Sequence, residues 1–150
     1  MRFPLDLQTY DVPAQRRVYD LFSSTLKETP ALNGSAFLFE GYSVQGIKAK
    51  PSKDSAYAFR ESNLLVAPII RFQEAGEELE TKAESLGQKL RNILHEASGQ
   101  GLKRTYVNYS FGTESLANLY GDERWRQERL LALKKKYDPR GKFSFYAPIM

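Results

Sequence analysis

Three residues with hydrogen-bonding side chains, Tyr106, Asn108 and Tyr109, lie within five positions of each other in this chain. The pattern over Thr105–Tyr109 predicts a strand, which would place Tyr106 and Asn108 on one face and Tyr109 on the other. A phenol and a carboxamide that project into an apolar cavity can polarise a carbonyl or relay a proton. The alternative is a structural strand whose tyrosines pack and hydrogen-bond locally.

A second candidate is Glu40, a carboxylate within an aromatic segment. A strand is predicted over residues 35–50, and its alternation places Leu38, Glu40 and Tyr42 on one face. If that face lines a cavity, desolvation would raise the pKa of Glu40 and make it a usable acid or base. If the face points outward, Glu40 is an ordinary solvated residue.

Two further candidates belong to a short strand predicted over residues 56–59. Tyr57 lies within it, and Arg60 follows its end. Arg60 could pair with Glu40 or bind an enolate, and the alternative is a solvated arginine at a strand end. As a hypothesis, we assign both residues to substrate binding, together with Leu38, Tyr42 and Tyr109.

The residue counts exclude several chemistries. The chain has 150 residues and no cysteine, so it contains no disulfide, thiolate metal site or cysteine nucleophile. Its single histidine, His95, argues against a histidine-rich zinc site and is predicted to lie at the boundary of a helix face. No glycine-rich phosphate loop occurs. The sequence therefore predicts no metal and no cofactor bound by these residues.

The length is that of one domain, which we place over residues 1–150. No apolar run is long enough to span a membrane and no signal peptide is visible, so we expect a cytoplasmic protein. The net charge of +4 comes from residues 122–142, which hold eight basic and four acidic residues. Because acidic residues are interleaved there, we expect no binding of nucleic acid or membranes.

The predicted elements are, in chain order, a helix, three strands, a long helix, a strand and a helix. A helix capped by Asp11 begins near Pro13, a turn follows at residues 33–34, and a long helix covers Glu74–Ser98 with Gly99 as its cap. The other predicted elements are strands over residues 35–50, 56–59, 64–70 and 105–109, a helix over 123–136 capped by Asp122, and an extended tail. This order indicates an α+β fold, an antiparallel sheet with helices on one face.

The segment Leu64–Ile70 is apolar at every position, and a strand of this kind is covered on both faces. Pro68 places it at a sheet edge or gives it a local irregularity. The predicted helices cover only one side of the sheet. We therefore expect another chain, a further domain or a ligand to cover the second face.

The C-terminal third contains the patterns YVNY at 106–109, LYG at 119–121 and KYDP at 136–139. Together they resemble the C-terminal segment of berberine-bridge-like FAD-linked oxidases. Upstream, the segments FLFEGYSVQGIKAKP and AYAFRESNLLVAPI look like substrate-domain strands of fungal members. The resemblance implies a chain that begins inside the substrate domain and lacks the flavin domain. It also implies that Tyr106, Asn108 and Tyr109 lie near flavin and substrate.

Three functions are compatible with this resemblance. The first is a cofactor-free cyclase or isomerase of fungal secondary metabolism, similar to a pericyclase, that holds a polyketide- or terpenoid-like intermediate in an apolar pocket. Tyr106 and Asn108 would then be hydrogen-bond donors, with Glu40 as the acid or base. The second is the substrate-binding half of an oxidoreductase whose FAD comes with a separate domain. The third is a non-catalytic module that binds a small ligand. The expected partners are a small hydrophobic substrate and a second copy in a homodimer.

Overall fold

The computed structural model describes residues 1–73 and 76–150. The strands are β1 (Leu5–Leu7), β2 (Ala36–Glu40) and β3 (Leu64–Ile69), and the helices are α1 (Val12–Glu28), α2 (Gln45–Lys48), α3 (Glu77–Ser98), α4 (Leu116–Tyr120) and α5 (Arg124–Tyr137). Single 3-10 turns cover Pro30–Leu32, Ser52–Asp54 and Val107–Tyr109. The strands form one antiparallel sheet, so the predicted α+β class is confirmed.

The ends of the two long helices follow from their capping residues. The Asp11 carboxylate accepts a hydrogen bond of 2.7 Å from Ala14 N–H, as predicted for α1. Helix α3 ends at Gly99, whose φ of 66° lies in the left-handed region that glycine adopts without strain. The predicted start of this helix at Glu74 lies outside the described residues. None of the described helices combines the length and apolarity needed to cross a bilayer.

Strand β3 lies in the centre of the sheet, between β1 and β2. The prediction that Pro68 marks an edge is therefore wrong, whereas the predicted irregularity is present. Phe3 N–H donates to Pro68 O at 3.0 Å, and Pro68 has no amide proton to return the bond. The ladder between β1 and β3 is interrupted at this point and continues as a single bridge between Arg2 and Ile69.

The hydrophobic core lies between one face of the sheet and helices α1 and α3. Side chains from every second position of β1 and β3 point into it, as expected for a half-buried sheet face. An apolar stripe on α3 supplies the opposite wall. The buried members of this core are Phe3, Leu5, Leu7, Ala14, Val18, Leu32, Val66, Ile70, Ala83, Leu86, Leu90 and Leu94.

Close packing of the segment before β1 against α3 depends on Gly87. A Cβ atom at this position would lie 2.0 Å from Cε2 of the buried Phe3 ring. We expect Gly87→Ala to lower the free energy of unfolding by about 2–3 kcal/mol through overpacking, although alanine is the better helix former by up to ~1 kcal/mol. Urea denaturation measures this change.

Gly46→Ala is the matched control, because Gly46 is also helical and a Cβ there would meet nothing within 4 Å. This variant should be as stable as the wild type or slightly more stable. Equal stabilities of the two variants would contradict the packing argument.

The second face of the sheet is partly covered by the chain itself, which corrects the expectation that it stays open. Asp6 N–H donates to Arg104 O at 2.8 Å, so the segment from residue 104 runs along the free edge of β1. Tyr109 then spans the face, because its ring lies 5.2 Å from the Arg2 guanidinium and its hydroxyl contacts Glu40. Ala67, between them on β3, is 1% exposed.

Four predicted elements differ in the structure. The strand expected over 35–50 ends at Glu40, and its second half contains α2. Residues 56–59 form a loop rather than a strand, and residues 107–109 form a 3-10 turn where a strand was predicted. Helix α5 is capped at Glu123, not at Asp122.

Candidate functional site

The second face of the sheet borders a cavity of about 500 Å³. Side chains from β1, β2, β3, α2 and the turn at Val107–Tyr109 line it. The lining is mainly apolar and aromatic, with a few polar groups, which is the composition of small-molecule sites. The lining residues are Asp6, Glu40, Tyr42, Val44, Ile47, Tyr57, Ser62, Asn63, Leu64, Leu65, Tyr106, Asn108 and Tyr109.

The 3-10 turn at Val107–Tyr109 brings the three residues of the YVNY pattern to the same cavity. A strand would have turned Tyr109 away from Tyr106 and Asn108, and that prediction is wrong. The tighter turn instead brings the rings of Tyr106 and Tyr109 to a centroid distance of 5.5 Å. All three side chains therefore line the same cavity.

Two hydrogen bonds order the polar groups of the cavity. Asn108 Nδ2 donates to Tyr106 Oη at 2.8 Å, and within the described residues the Tyr106 hydroxyl has no acceptor for its own proton. Tyr109 Oη donates to Glu40 Oε1 at 3.1 Å. The first pair presents a hydroxyl donor to a ligand, and the second presents a carboxylate that is already paired with a phenol.

The Tyr109 phenol keeps its proton. The hydrogen bond to the Glu40 carboxylate, together with the negative charge of that carboxylate, raises the pKa of Tyr109 above its usual value, and the Arg2 guanidinium only partly opposes this. Tyr109 is thus a donor that holds Glu40 in place rather than a base.

Tyr57 enters the cavity from the loop that replaces its predicted strand. Burial is the main cause that raises its pKa to about 12, and the nearby Asp6 and Tyr106 add to the shift. A phenol with this pKa is neutral throughout the physiological range. Tyr57 therefore offers a ligand an aromatic face and a neutral hydroxyl.

Sequence analysis missed Asp6, which is the most buried carboxyl of the lining at 3% exposure. Its neighbours Leu5 and Leu7 point into the core, so alternation turns Asp6 to the cavity face. Burial raises its pKa from 3.8 to about 7, and the positive charge of Arg104 only partly opposes this shift. The signal was present in the sequence as an acidic residue between two leucines, but no strand was predicted over residues 5–7.

Two of the predicted binding residues do not line the cavity. Arg60 does not pair with Glu40, because its guanidinium donates to Ile47 O at 3.0 Å and to Ser55 Oγ at 2.6 Å. It thereby fixes the loop that carries one wall. Leu38 shares the face of Glu40, as alternation predicted, but lies opposite Ala67, away from the lining.

The outer wall is formed by Tyr42, Val44 and Ile47, which follow the end of β2. Tyr42 is 69% exposed, so this side of the cavity is open to solvent. The 3-10 turn at Ser52–Asp54 comes next in the chain. It is tied to α5 by Arg126, whose side chain is 1% exposed and donates a hydrogen bond to Ser52 Oγ at 2.5 Å. Helix α5 thus supports the segment that forms this wall of the cavity.

Comparison with known proteins bears directly on residues 105–150, which match the family described as Berberine and berberine like. We call residues 105–150 the berberine-like segment because of this match. This confirms the resemblance inferred from the YVNY, LYG and KYDP patterns. The berberine-like segment contributes Tyr106, Asn108 and Tyr109 to the cavity.

The relatives extend the similarity to nearly the whole chain. FAD-linked oxidoreductase chyH of Penicillium rubens is 49% identical over 99% of this chain and 30% of its own length. FAD-linked oxidoreductase chry5 of Gibberella zeae is 46% identical over 99% of this chain, and anuG of Penicillium roqueforti is 40% identical over 98%. The chain thus spans about 30% of the length of these relatives.

The lining of the cavity does not fit a FAD molecule. Asp6 and Glu40 are acidic, and none of the residues that line the cavity is basic. A diphosphate beside two carboxyls without a cationic partner is electrostatically unfavourable. His95, on α3, is not part of the lining. The lining of this cavity is suited to an uncharged, mainly apolar ligand rather than to the dinucleotide.

Proposed function

We propose that this chain forms the substrate-binding part of a FAD-linked oxidoreductase, and that residues outside these 150 hold the flavin. The observation that carries the proposal is the shared cavity. Residues of the berberine-like segment close one side of it, and strands β1, β2 and β3 close the other. The names of the relatives support the oxidoreductase over the cofactor-free cyclase.

The substrate class follows from the lining. Apolar contacts come from Val44, Leu64 and Leu65, and aromatic surfaces come from the tyrosines. The Tyr106 hydroxyl is available to donate a hydrogen bond. A flat or compact apolar molecule with one oxygen acceptor near Tyr106 suits this arrangement.

A binding experiment tests the cavity directly. Naphthalene and 2-naphthol serve as probes, and amide chemical shifts of the 150-residue chain report where they bind. We expect shifts at the lining residues, and Leu65→Trp should weaken binding at least about tenfold by filling the space. Leu131→Trp is the matched control, because Leu131 is 39% exposed on α5 and does not line the cavity. An equal loss of probe affinity in both variants would contradict the proposal, and so would amide chemical-shift changes confined to other surfaces.

A chimera tests the oxidoreductase activity. The matching 30% of the Penicillium rubens relative is replaced by this chain, and oxygen-dependent turnover of that relative's own substrate is measured. We expect turnover to be retained, and Tyr106→Phe in the chimera to lower kcat/KM by about 5- to 100-fold through loss of one hydrogen bond. Tyr137→Phe, on an exposed side chain of α5, should leave it unchanged. A chimera that folds and binds flavin but has no turnover would contradict the proposal.

The cofactor-free cyclase or isomerase and the non-catalytic module stay predictions. Conversion of a substrate by the isolated chain, with neither flavin nor oxygen uptake, would favour the cyclase over the oxidoreductase. Binding without turnover in either setting would favour the module. The homodimer is likewise a prediction, which sedimentation of the isolated chain tests.

A further inference from the structure

We propose that Asp6 is the acceptor that recognises a hydroxyl group on the ligand of the cavity. This inference rests on the proposed function, because it assigns a specific contact within the same cavity. It also names a feature of the substrate, a hydroxyl at the end of the molecule that reaches β1.

The geometry of Asp6 carries the proposal. Its side chain lies on the cavity face of β1 and is 3% exposed, yet its Oδ2 atom has no hydrogen-bond partner among the described residues. A buried carboxyl oxygen without a partner is unfavourable by several kcal/mol unless something completes it. Because Asp6 lines the cavity, a hydroxyl of a ligand bound there is a group that can donate a hydrogen bond to its carboxyl.

The surroundings of Asp6 distinguish it from Glu40. Glu40 already accepts a hydrogen bond from Tyr109, whereas Asp6 accepts none at Oδ2. The β3 residue opposite it, Leu65, is apolar. The two ends of the cavity therefore differ, one with a satisfied carboxylate and one with an unsatisfied carboxyl.

Charged and titratable groups face Asp6 from two other segments. Arg104, from the segment beside β1, lowers the pKa of Asp6, and burial outweighs this effect to leave it at about 7. Arg104 also lies 3.9 Å from Glu61, which neutralises part of its charge. Tyr57, from the loop, keeps its proton and adds no charge. Asp6 thus changes its protonation near neutral pH.

The sign of the pH effect follows from the acceptor role. An ionised carboxylate accepts a stronger hydrogen bond from a hydroxyl than a protonated carboxyl does. A ligand hydroxyl should therefore bind more tightly above pH 7 than below it, and its binding should release protons. A ligand without a hydroxyl should show no such dependence.

The test compares the two probes in the intact 150-residue chain. Between about pH 6 and about pH 8, the affinity for 2-naphthol should rise by up to about tenfold while that for naphthalene stays constant. Asp6→Asn, which is nearly isosteric, should remove the pH dependence. Asp20→Asn should keep it, because Asp20 is exposed and pairs with Arg16 on α1. Carboxyl carbon shifts of Asp6 should show its pKa falling when 2-naphthol saturates the site.

The outcomes separate this inference from the proposed function. Equal pH dependence in the wild type and in Asp6→Asn, with both probes bound in the cavity, would overturn the role of Asp6 and leave the cavity intact. Failure of both probes to bind the wild type would overturn the proposed function and this inference together.

Discussion

Asp6→Asn is expected to raise the free energy of unfolding by up to about 4 kcal/mol at about pH 8 and to change it little at about pH 4. The folded chain holds the Asp6 proton up to about pH 7, whereas the unfolded chain releases it near the ordinary value of 3.8. Between these values the unfolded state binds fewer protons, so the wild type loses stability as the pH rises. Asparagine does not ionise and escapes this loss.

Urea denaturation of both proteins across this pH range measures the effect as a difference, which cancels the other titrating groups. Asp20→Asn serves as the control and should change the free energy of unfolding by less than about 1 kcal/mol, because Asp20 is exposed and pairs with Arg16 at the surface of α1. If the difference in the free energy of unfolding between wild type and Asp6→Asn did not change with pH, this would contradict the raised pKa of the buried Asp6 carboxyl. A group that destabilises the fold at the wall of a cavity is typical of functional sites.

Glu114→Ala is expected to lower the free energy of unfolding by about 3–5 kcal/mol. The Glu114 side chain is 3% exposed and lies 3.4 Å from the Arg91 guanidinium, which is 9% exposed. It also accepts hydrogen bonds of 2.9 Å from Phe111 N–H and from Gly112 N–H. Its removal leaves a buried cation and two part-buried amides without this acceptor.

The matched control is Glu128→Ala, which breaks an ion pair with Arg124 at a helix surface where both side chains are more than half exposed. Its effect should stay below about 1 kcal/mol. Glu114 connects Arg91 on α3 to the backbone of Phe111 and Gly112, which follows the turn that carries Tyr109. We therefore also expect Glu114→Ala to weaken binding of 2-naphthol in the cavity, whereas Glu128→Ala should not. Similar stabilities of the two variants would contradict the anchoring role.

The long helices could be predicted because their signals are local. Asp11 and Pro13 define the start of α1, Gly99 defines the end of α3, and the apolar stripe of α3 follows the 3.6-residue period. These features depend on neighbours within a few turns. For the same reason, alternation correctly placed Leu38 and Glu40 on the same face of β2.

Segments without strong local patterns were predicted less well. Residues 41–50 contain apolar residues at strand spacing, yet they include the short helix α2, where Ile47 O accepts a hydrogen bond from Arg60, 13 positions further along the chain. The turn at Val107–Tyr109 shows the same effect. Its sequence favours a strand, whereas Arg2 and Glu40 on the sheet hold Tyr109 in another direction.

The sequence by itself determined the α+β class, the long helices, the apolar strand over residues 64–70 and the berberine-like segment, because each depends on residue type and short-range spacing. Only the tertiary structure decided that the chain covers part of its own sheet, that the three residues of the YVNY pattern share one cavity, and that Asp6 is buried there. Those features depend on contacts between residues that are many positions apart, such as Asp6 with Arg104 and Glu40 with Tyr109. The burial that shifts the pKa of Asp6 exists only once those distant segments are packed together.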